Sequence, residues 1–415
     1  MYATHLSCVF CGEEHPIDVV YKCRKCGGVL DVRYDYEKLR DEVNLSELFS
    51  RKEDSLWKYR AFLPVRDSRN IVSLVEGMTP LFHAESLGRV IGLKNLYIKD
   101  ERRNPTSSFK DRPYSVGVSM AKEFGAKATV AASSGNAAAS LAAYSAKAGM
   151  DCYIFVHDKV PANRILEIQA YGARVIRVKG YSGEIFEMSL AASEKFGWYN
   201  LNTTFYNPYT VEGDKTLGYE IYEQMKFGVP DWIFIPIGTG PLLVGCYKAF
   251  KELRDLGLAN ALPRMVGVQA EGCAPIAKAF EENKEEVEPW GTPTTIARSV
   301  SDTLVGHPEE GTYTLRVIRE SKGYAIAVTD EEILEAIDLL AREESVLAEP
   351  ASATVIAAAK RMVEDKIIDK DEVVVCPITG TGLKDIEIMS KLREKTPLIS
   401  ADIGELERVI ETWMK

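Results

Sequence analysis

Four thiols open the sequence at a spacing that suits a metal ion. Cys8-Val9-Phe10-Cys11 and Cys23-Arg24-Lys25-Cys26 form C-x2-C-x11-C-x2-C, with Gly12 after the first pair and Gly27-Gly28 after the second. Each x2 spacing lets two thiolates converge on one tetrahedral ion, and glycine leaves room for the turn around it. This is the pattern of a zinc ribbon, in which metal replaces a core that about 35 residues cannot supply alone. Four thiolates close the coordination shell, so the expected zinc is structural. Two disulfides or a redox C-x-x-C are the competing readings; a reducing compartment disfavours the first, and the second needs no duplicate.

Four further stretches place polar groups where a strand-like run gives way to a helix-like one. Asn104-Pro105-Thr106-Ser107-Ser108-Phe109-Lys110-Asp111-Arg112 puts Lys110 in the first turn of a helix. There the helix dipole and burial beside Phe109 both disfavour an ammonium and favour a nucleophilic amine. Read alone, Lys110 is more simply a surface lysine beside Asp111 in an ordinary capped helix. Ser133-Ser134-Gly135-Asn136 precedes an alanine-rich helix from Ala137, and its hydroxyls, amide and free N–H groups suit a carboxylate or phenolate oxygen. Gly238-Thr239-Gly240 could curl N–H groups around a phosphate, although a lone G-x-G also serves close packing of helix on strand. Pro377-Ile378-Thr379-Gly380-Thr381-Gly382 offers hydroxyls at a strand edge, or simply a capped turn.

The elements that must position these groups alternate. Strand-like runs at Leu96–Lys99, Ala128–Ala132, Cys152–Val156, Val175–Val178, Trp232–Ile237, Met265–Gln269 and Val373–Pro377 are separated by helix-length amphipathic segments. They include Pro113–Phe124, Ala137–Ala148, Pro161–Tyr171 and Gly213–Lys226. Such alternation implies an α/β fold of open, mostly parallel sheets, whose ligands bind beyond the carboxyl ends of the strands. An acidic helical connector, Tyr36–Lys52, and an irregular stretch through Arg69 join the ribbon to the rest, and the run Glu281–Glu286 reads as a solvated turn.

The 415 residues are enough for two or three domains, and 46% hydrophobic residues can fill more than one core. Lys and Arg number 51 against 61 Asp and Glu, a net charge of −10 that argues against nucleic acid as a partner. No apolar run approaches the ~20 residues of a membrane span and no leader opens the chain, so a cytoplasmic protein is expected. Cys152, Cys246, Cys273 and Cys376, scattered through apolar segments, read as reduced core residues.

Taken together and in order, the motifs resemble the threonine synthase family of the tryptophan-synthase-like, fold type II pyridoxal-phosphate enzymes. The resemblance runs from Cys8 to about Asp385. It comprises the ribbon, Val75–Leu81, Ser108-Phe109-Lys110-Asp111-Arg112, Ser134-Gly135-Asn136, Glu212-Gly213-Asp214-Lys215-Thr216, Gly267–Gly272, Glu349-Pro350-Ala351-Ser352-Ala353 and Thr379–Asp385. It implies that Lys110 is the Schiff-base lysine and proton shuttle, that Asn136 bonds the ring oxygen of pyridoxal 5'-phosphate, and that Thr379 meets its ring nitrogen. A neutral hydroxyl there suits elimination and replacement better than transamination. The phosphate loop maps onto Gly238, Thr239, Gly240, Pro241 and Leu242, and the substrate contacts onto Ser133, Ser134, Gly135, Asn136, Ala137 and Thr210. The implied reaction converts O-phosphohomoserine and water into threonine and phosphate, and the implied assembly is a homodimer.

Three departures fall on groups that would meet the substrate or cofactor. Ala137 stands where the family has a threonine after Ser-Gly-Asn, Thr210 where Asn-Pro-Tyr/Phe is followed by arginine, and Gly238–Leu242 replaces a Gly-Asn-x-Gly-Asn loop. Loss of a charge-assisted bond of ~1.5 to 3 kcal/mol weakens a phosphorylated substrate by one to two decades unless another cation compensates. Arg112, Lys215 and Lys384 are the candidates, each equally readable as a structural ion pair. The alternatives are a threonine or serine dehydratase and a β-replacement enzyme acting on O-phosphoserine; a non-catalytic cofactor-binding protein ranks last. The expected organisation is a ribbon (1–35), a connector (36–70), a large cofactor-binding domain (71–113 and 203–395), a small mobile domain (114–202) with the cofactor between the two, and a C-terminal helix (396–415).

Overall fold

The computed structural model describes residues 2–180, 182–202, 204–391 and 396–414. The expected domain limits at Thr203 and Lys395, like the chain ends Met1 and Lys415, lie outside the described residues. Among the described residues, three sheets organise the fold. Strands β1 (Ala3–Cys8), β2 (Glu14–His15) and β3 (Leu30–Tyr34) form a small antiparallel sheet in the order β2-β1-β3. Cys8 ends β1, and Cys11, Cys23 and Cys26 lie in the turns between the strands.

A six-stranded sheet follows from β4 (Leu81–His83), β5 (Asn95–Asp100), β10 (Trp232–Pro236), β11 (Arg264–Ala270), β12 (Tyr324–Val328) and β13 (Val373–Ile378). A four-stranded sheet is built from β6 (Ala128–Ala132), β7 (Asp151–His157), β8 (Arg174–Val178) and β9 (Tyr199–Asn200). The larger runs β12-β11-β10-β13-β5-β4 and the smaller β8-β7-β6-β9. Every pairing in both is parallel except β4 with β5. Ile233, Phe234 and Ile235 of β10 are all fully buried, as a strand covered by helices on both faces requires.

The topology explains why distant motifs meet. The chain leaves the large sheet after β5, builds the small sheet, and returns at β10; the gap between β10 and β5 is filled only by the last strand, β13. The loops after β5, β10 and β13 therefore emerge side by side from adjacent strand ends, at a point where the strand order switches.

Two helices tie the sheets together. Asp111–Glu123 and Pro208–Gln224 pack on each other with no space between them, since a Cβ on Gly213 would overlap the carbonyl of Arg112. Beneath them lies a fully buried ionic cluster. Arg112 donates to Glu101 (2.7 and 2.8 Å) and to Glu220 (2.6 and 2.7 Å), and Lys99 Nζ donates to Glu220 at 2.7 Å. Every charge in it has a partner, the condition under which burial of charge is tolerated.

The connector forms two short helices, Tyr36–Glu42 and Leu45–Ser50, and the stretch expected to be irregular folds into 3-10 turns at Leu56–Phe62 and Ser68–Asn70. The alternation of strand and helix is broken by residues 282–307, a long connection whose regular structure is a single 3-10 turn, Arg298–Val300. Ile403–Trp413 is helical, with Ile403 and Trp413 largely exposed.

Candidate active site

A cleft of about 1320 Å³ lies between the two larger sheets. Lys110, Ser133–Ala137, Gly238–Leu242 and Thr379 all line it, so the four junctions of the sequence form one site. Lys110 precedes the helix Asp111–Glu123 as its N-cap, already in helical conformation (φ −58°, ψ −18°). Its Nζ sits 4.6 Å from the centre of the Phe109 ring. Burial holds the Lys110 pKa below the usual lysine value, against the attraction of Asp214, Glu349 and Asp302, which favours the free amine at the cleft. The segment is pinned to the last strand's loop: Phe109 N–H donates to Thr379 carbonyl oxygen (2.9 Å), and Ser108 bridges to Gly380. Asp111 accepts from Thr106 N–H, Thr106 Oγ1 and Ser140 Oγ at 2.6 to 2.7 Å, which locks the turn before Lys110. Burial raises the Asp111 pKa to about 6.

The other junctions bring complementary groups. Gly240 caps the helix Pro241–Asp255 with φ +113°, and a Cβ there would overlap Thr314 Oγ1, so only glycine fits. N–H groups of a first helical turn have no acceptor within their helix, and this end faces the cleft, as a phosphate site requires. Thr379 Oγ1 shares a hydrogen bond with Ser352 Oγ at 2.8 Å, a buried hydroxyl pair at the cleft wall. Asn136 Nδ2 donates to both carboxylate oxygens of Glu349, at 3.1 and 3.0 Å.

Ala137 lines the cleft, but Thr210 does not. Its hydroxyl donates to Asn207 carbonyl oxygen (2.7 Å) and its methyl faces Gly117, because the first turn of its helix turns this position toward the helix Asp111–Glu123. Of the expected substrate contacts, Thr210 is therefore placed outside the cleft lining. For the three candidate compensating cations the structure matches the ion-pair reading. Arg112 is spent on Glu101 and Glu220, and Lys215 on Glu212 (2.6 Å) and Glu252 (3.1 Å). Lys384 holds Thr106 carbonyl oxygen (2.6 Å) and Glu167 (3.2 Å).

The cations that do line the cleft are Lys159, Arg164 and Arg298, with His157 and His307. Arg164 lies 3.2 Å from Asp385. His307 Nε2 meets Asp302 Oδ1 at 3.2 Å; burial opposes its charge, but Asp302 and the nearby glutamates outweigh that and lift its pKa to about 9. Burial raises the neighbouring Glu310 to about 7. Sequence reasoning missed these residues and Glu349's partnership with Asn136. Two signals were present: the length of the 282–307 connection, unusual within a compact domain, and the scarcity of histidine, two of only five lying here.

The four thiols meet as well. Sγ atoms of Cys8, Cys11, Cys23 and Cys26 all lie within 4.8 Å of one another, an arrangement able to hold a metal ion. Among the described residues, no helix is long and apolar enough to cross a membrane.

A lysine amine on a strand-to-helix turn, a glycine-capped helix end and a buried hydroxyl pair, brought together between two parallel sheets, define the class of enzymes built around pyridoxal phosphate. The family profile described as "Pyridoxal-phosphate dependent enzyme" matches residues 72–380. The tomato (Solanum lycopersicum) processed threonine deaminase isoform 2 has a similar solved structure, with a TM-score of 0.67 and 25% identity, covering 84% of this chain and 96% of that one. Threonine synthase of Methanocaldococcus jannaschii is 41% identical over 97% of this chain and 98% of its own length. That of Methanosarcina acetivorans is 40% identical over 98% of each. The chain belongs to the threonine synthase family of the pyridoxal-phosphate-dependent lyases.

Proposed function

We propose that the enzyme converts O-phosphohomoserine and water into threonine and phosphate. The observation that carries this reading is the cation set: Lys159, Arg164 and Arg298 border the same cleft as Lys110. A phosphorylated substrate needs such charge, and an unphosphorylated hydroxyamino acid does not. These residues take over the phosphate clamp that Thr210 cannot supply.

The residues present fit pyridoxal phosphate: a depressed lysine amine, a helix N-terminus where a Cβ has no room, and a hydroxyl pair. When bound, the cofactor supplies an electron sink for the carbanions of elimination and replacement. Lys110 Nζ would hold it and then carry protons at the substrate carbons. Backbone N–H groups of Gly238, Thr239, Gly240 and Leu242 would hold its phosphate, with Pro241 shaping the turn, and Asn136 its ring oxygen. The Thr379 hydroxyl would meet the ring nitrogen without charging it. Ser133, Ser134 and Gly135 would bind the substrate carboxylate, beside Ala137. Residues 114–202 would act as the closing domain over the large one (71–113 and 203–395), excluding water until it is required.

A second reading, threonine or serine dehydration, is favoured by Ala137, which brings no hydroxyl to steer water addition. A panel of O-phosphohomoserine, O-phosphoserine, threonine and serine, with phosphate and keto-acid release followed separately, decides between them. Keto acid from threonine with no phosphate from O-phosphohomoserine would reject the first reading.

Zinc is the ion we assign to Cys8, Cys11, Cys23 and Cys26, in a structural role; an assay finding none at one per chain would reject it. The protein is read as a cytoplasmic homodimer without a nucleic-acid partner, which sedimentation of the holoenzyme tests.

A further inference from the structure

Tyr21 and Lys22 immediately precede Cys23 in the ribbon, and each reaches a different wall of the cleft. The Tyr21 hydroxyl accepts from Asn200 N–H at 2.8 Å, on the edge strand of the small sheet. Its ring stacks on Tyr206, 4.9 Å between centres and 18° between planes. Tyr206 meets the edge of Phe186 at 6.2 Å, and Phe186 stacks on His307 at 5.4 Å. Phe186, on the helix Ser182–Phe196, and His307 both line the cleft. Lys22 Nζ pairs with Glu309 Oε1 at 2.8 Å, in the first turn of the helix Pro308–Glu320 that follows His307. A third tie, from Tyr209 Oη to Asp18 carbonyl oxygen at 2.7 Å, anchors the same loop to the helix Pro208–Gln224.

Three consecutive residues thus hold the small-sheet wall, the large-sheet wall and the thiol cluster. Successive Cα atoms are only ~3.8 Å apart, so Cys23 cannot move far without displacing both anchors. We propose that the ribbon is a metal-dependent clamp on the cleft: the ion fixes Cys23, and through Tyr21 and Lys22 it sets the spacing of Phe186 and His307. Tyr21 and Lys22 are positioning residues in this scheme. Neither touches the Lys110 end of the site, so releasing the clamp weakens substrate binding and leaves the cofactor in place.

The inference rests on the metal assignment made above, and the test separates the two. Hydrogen exchange is followed in the full-length holoenzyme with the metal bound, after its removal by chelator, and in Tyr21→Ala and Tyr21→Phe with the metal bound. Metal removal and Tyr21→Ala are both expected to speed exchange at least about threefold in 182–202 and 304–310. Both should raise KM for O-phosphohomoserine about fivefold with kcat changed less than about twofold and the visible cofactor band retained. Tyr21→Phe keeps the ring stack and is expected to fall between wild type and alanine. Absence of metal in the purified protein overturns the assignment and the clamp together. Metal that is present, but whose removal changes exchange only within 2–35, overturns the clamp alone.

Discussion

The side-chain amide of Asn136, at the start of a small-sheet helix, donates to both carboxylate oxygens of Glu349, which precedes a large-sheet helix, at 3.1 and 3.0 Å. The contact spans the cleft beside Gly380, where a Cβ would lie 3.0 Å from Asn136 Nδ2. Burial raises the Glu349 pKa, with the Asn136 hydrogen bonds pulling the other way. The folded chain therefore keeps this proton to higher pH than the unfolded chain, and stability falls as pH rises through that interval. Glu349→Gln mimics the protonated form and is expected to flatten that part of the pH dependence. Melting temperatures of both proteins between about pH 4 and pH 8 check this, and parallel profiles would count against it.

Lys110→Ala is expected to abolish the visible cofactor band and to lower kcat by at least ~10³-fold, since nucleophile and proton carrier go together. Absorbance and borohydride trapping followed by peptide mapping make the measurement. A retained band trapped on another lysine would sink the assignment.

Arg112→Met removes the centre of a cluster whose carboxylates, Glu101 and Glu220, are both fully buried. Leaving buried charge without its partner typically costs ~3 to 5 kcal/mol. Urea titration is expected to show a loss of that size. A loss below ~1 kcal/mol would mean that Glu101 and Glu220 find other partners or water when the guanidinium is gone.

Gly240→Ala places a methyl group on Thr314 and a side chain in a left-handed backbone at the expected phosphate loop. The left-handed conformation alone costs ~1 to 2 kcal/mol. Cofactor affinity, measured by titrating apoenzyme, is expected to fall at least about tenfold, a change of ~1.4 kcal/mol. Thr314→Ala in the same chain should recover part of it.

Thr210→Val keeps the shape of a side chain that faces Gly117 and its own helix. KM for O-phosphohomoserine is expected to change less than about twofold, with a stability cost of ~1 kcal/mol for the lost hydrogen bond. A tenfold rise in KM would return Thr210 to the substrate site, and Arg298→Ala, expected to raise KM at least about tenfold, is the matching control.

Much of the architecture was legible because it is local. Parallel strands read as short apolar runs, so the limits expected for β6 match the observed ones and those for β5, β7, β8, β10, β11 and β13 lie within one residue at each end. The strands β4, β9 and β12 and the ribbon strands were not read: two of them have only two residues, and the alanines of β12 give little apolar contrast. Lys110, the Ser-Gly-Asn turn and the thiol spacing announce themselves by residue type within a few positions.

What the sequence by itself determined is the chemistry available at each strand end: an amine, hydroxyls, an amide, glycine-lined N–H groups and four thiols. Only the tertiary structure decided which of these share a cleft and which cations are free to serve it. Arg112, Lys215 and Lys384 carry the same charge as Lys159 and Arg298, which line the cleft, but they are committed to carboxylates or carbonyl groups distant in sequence, as far as Glu220, Glu252 and Glu167. The field and the partners around a charge come from packing across the chain, and no local pattern records them.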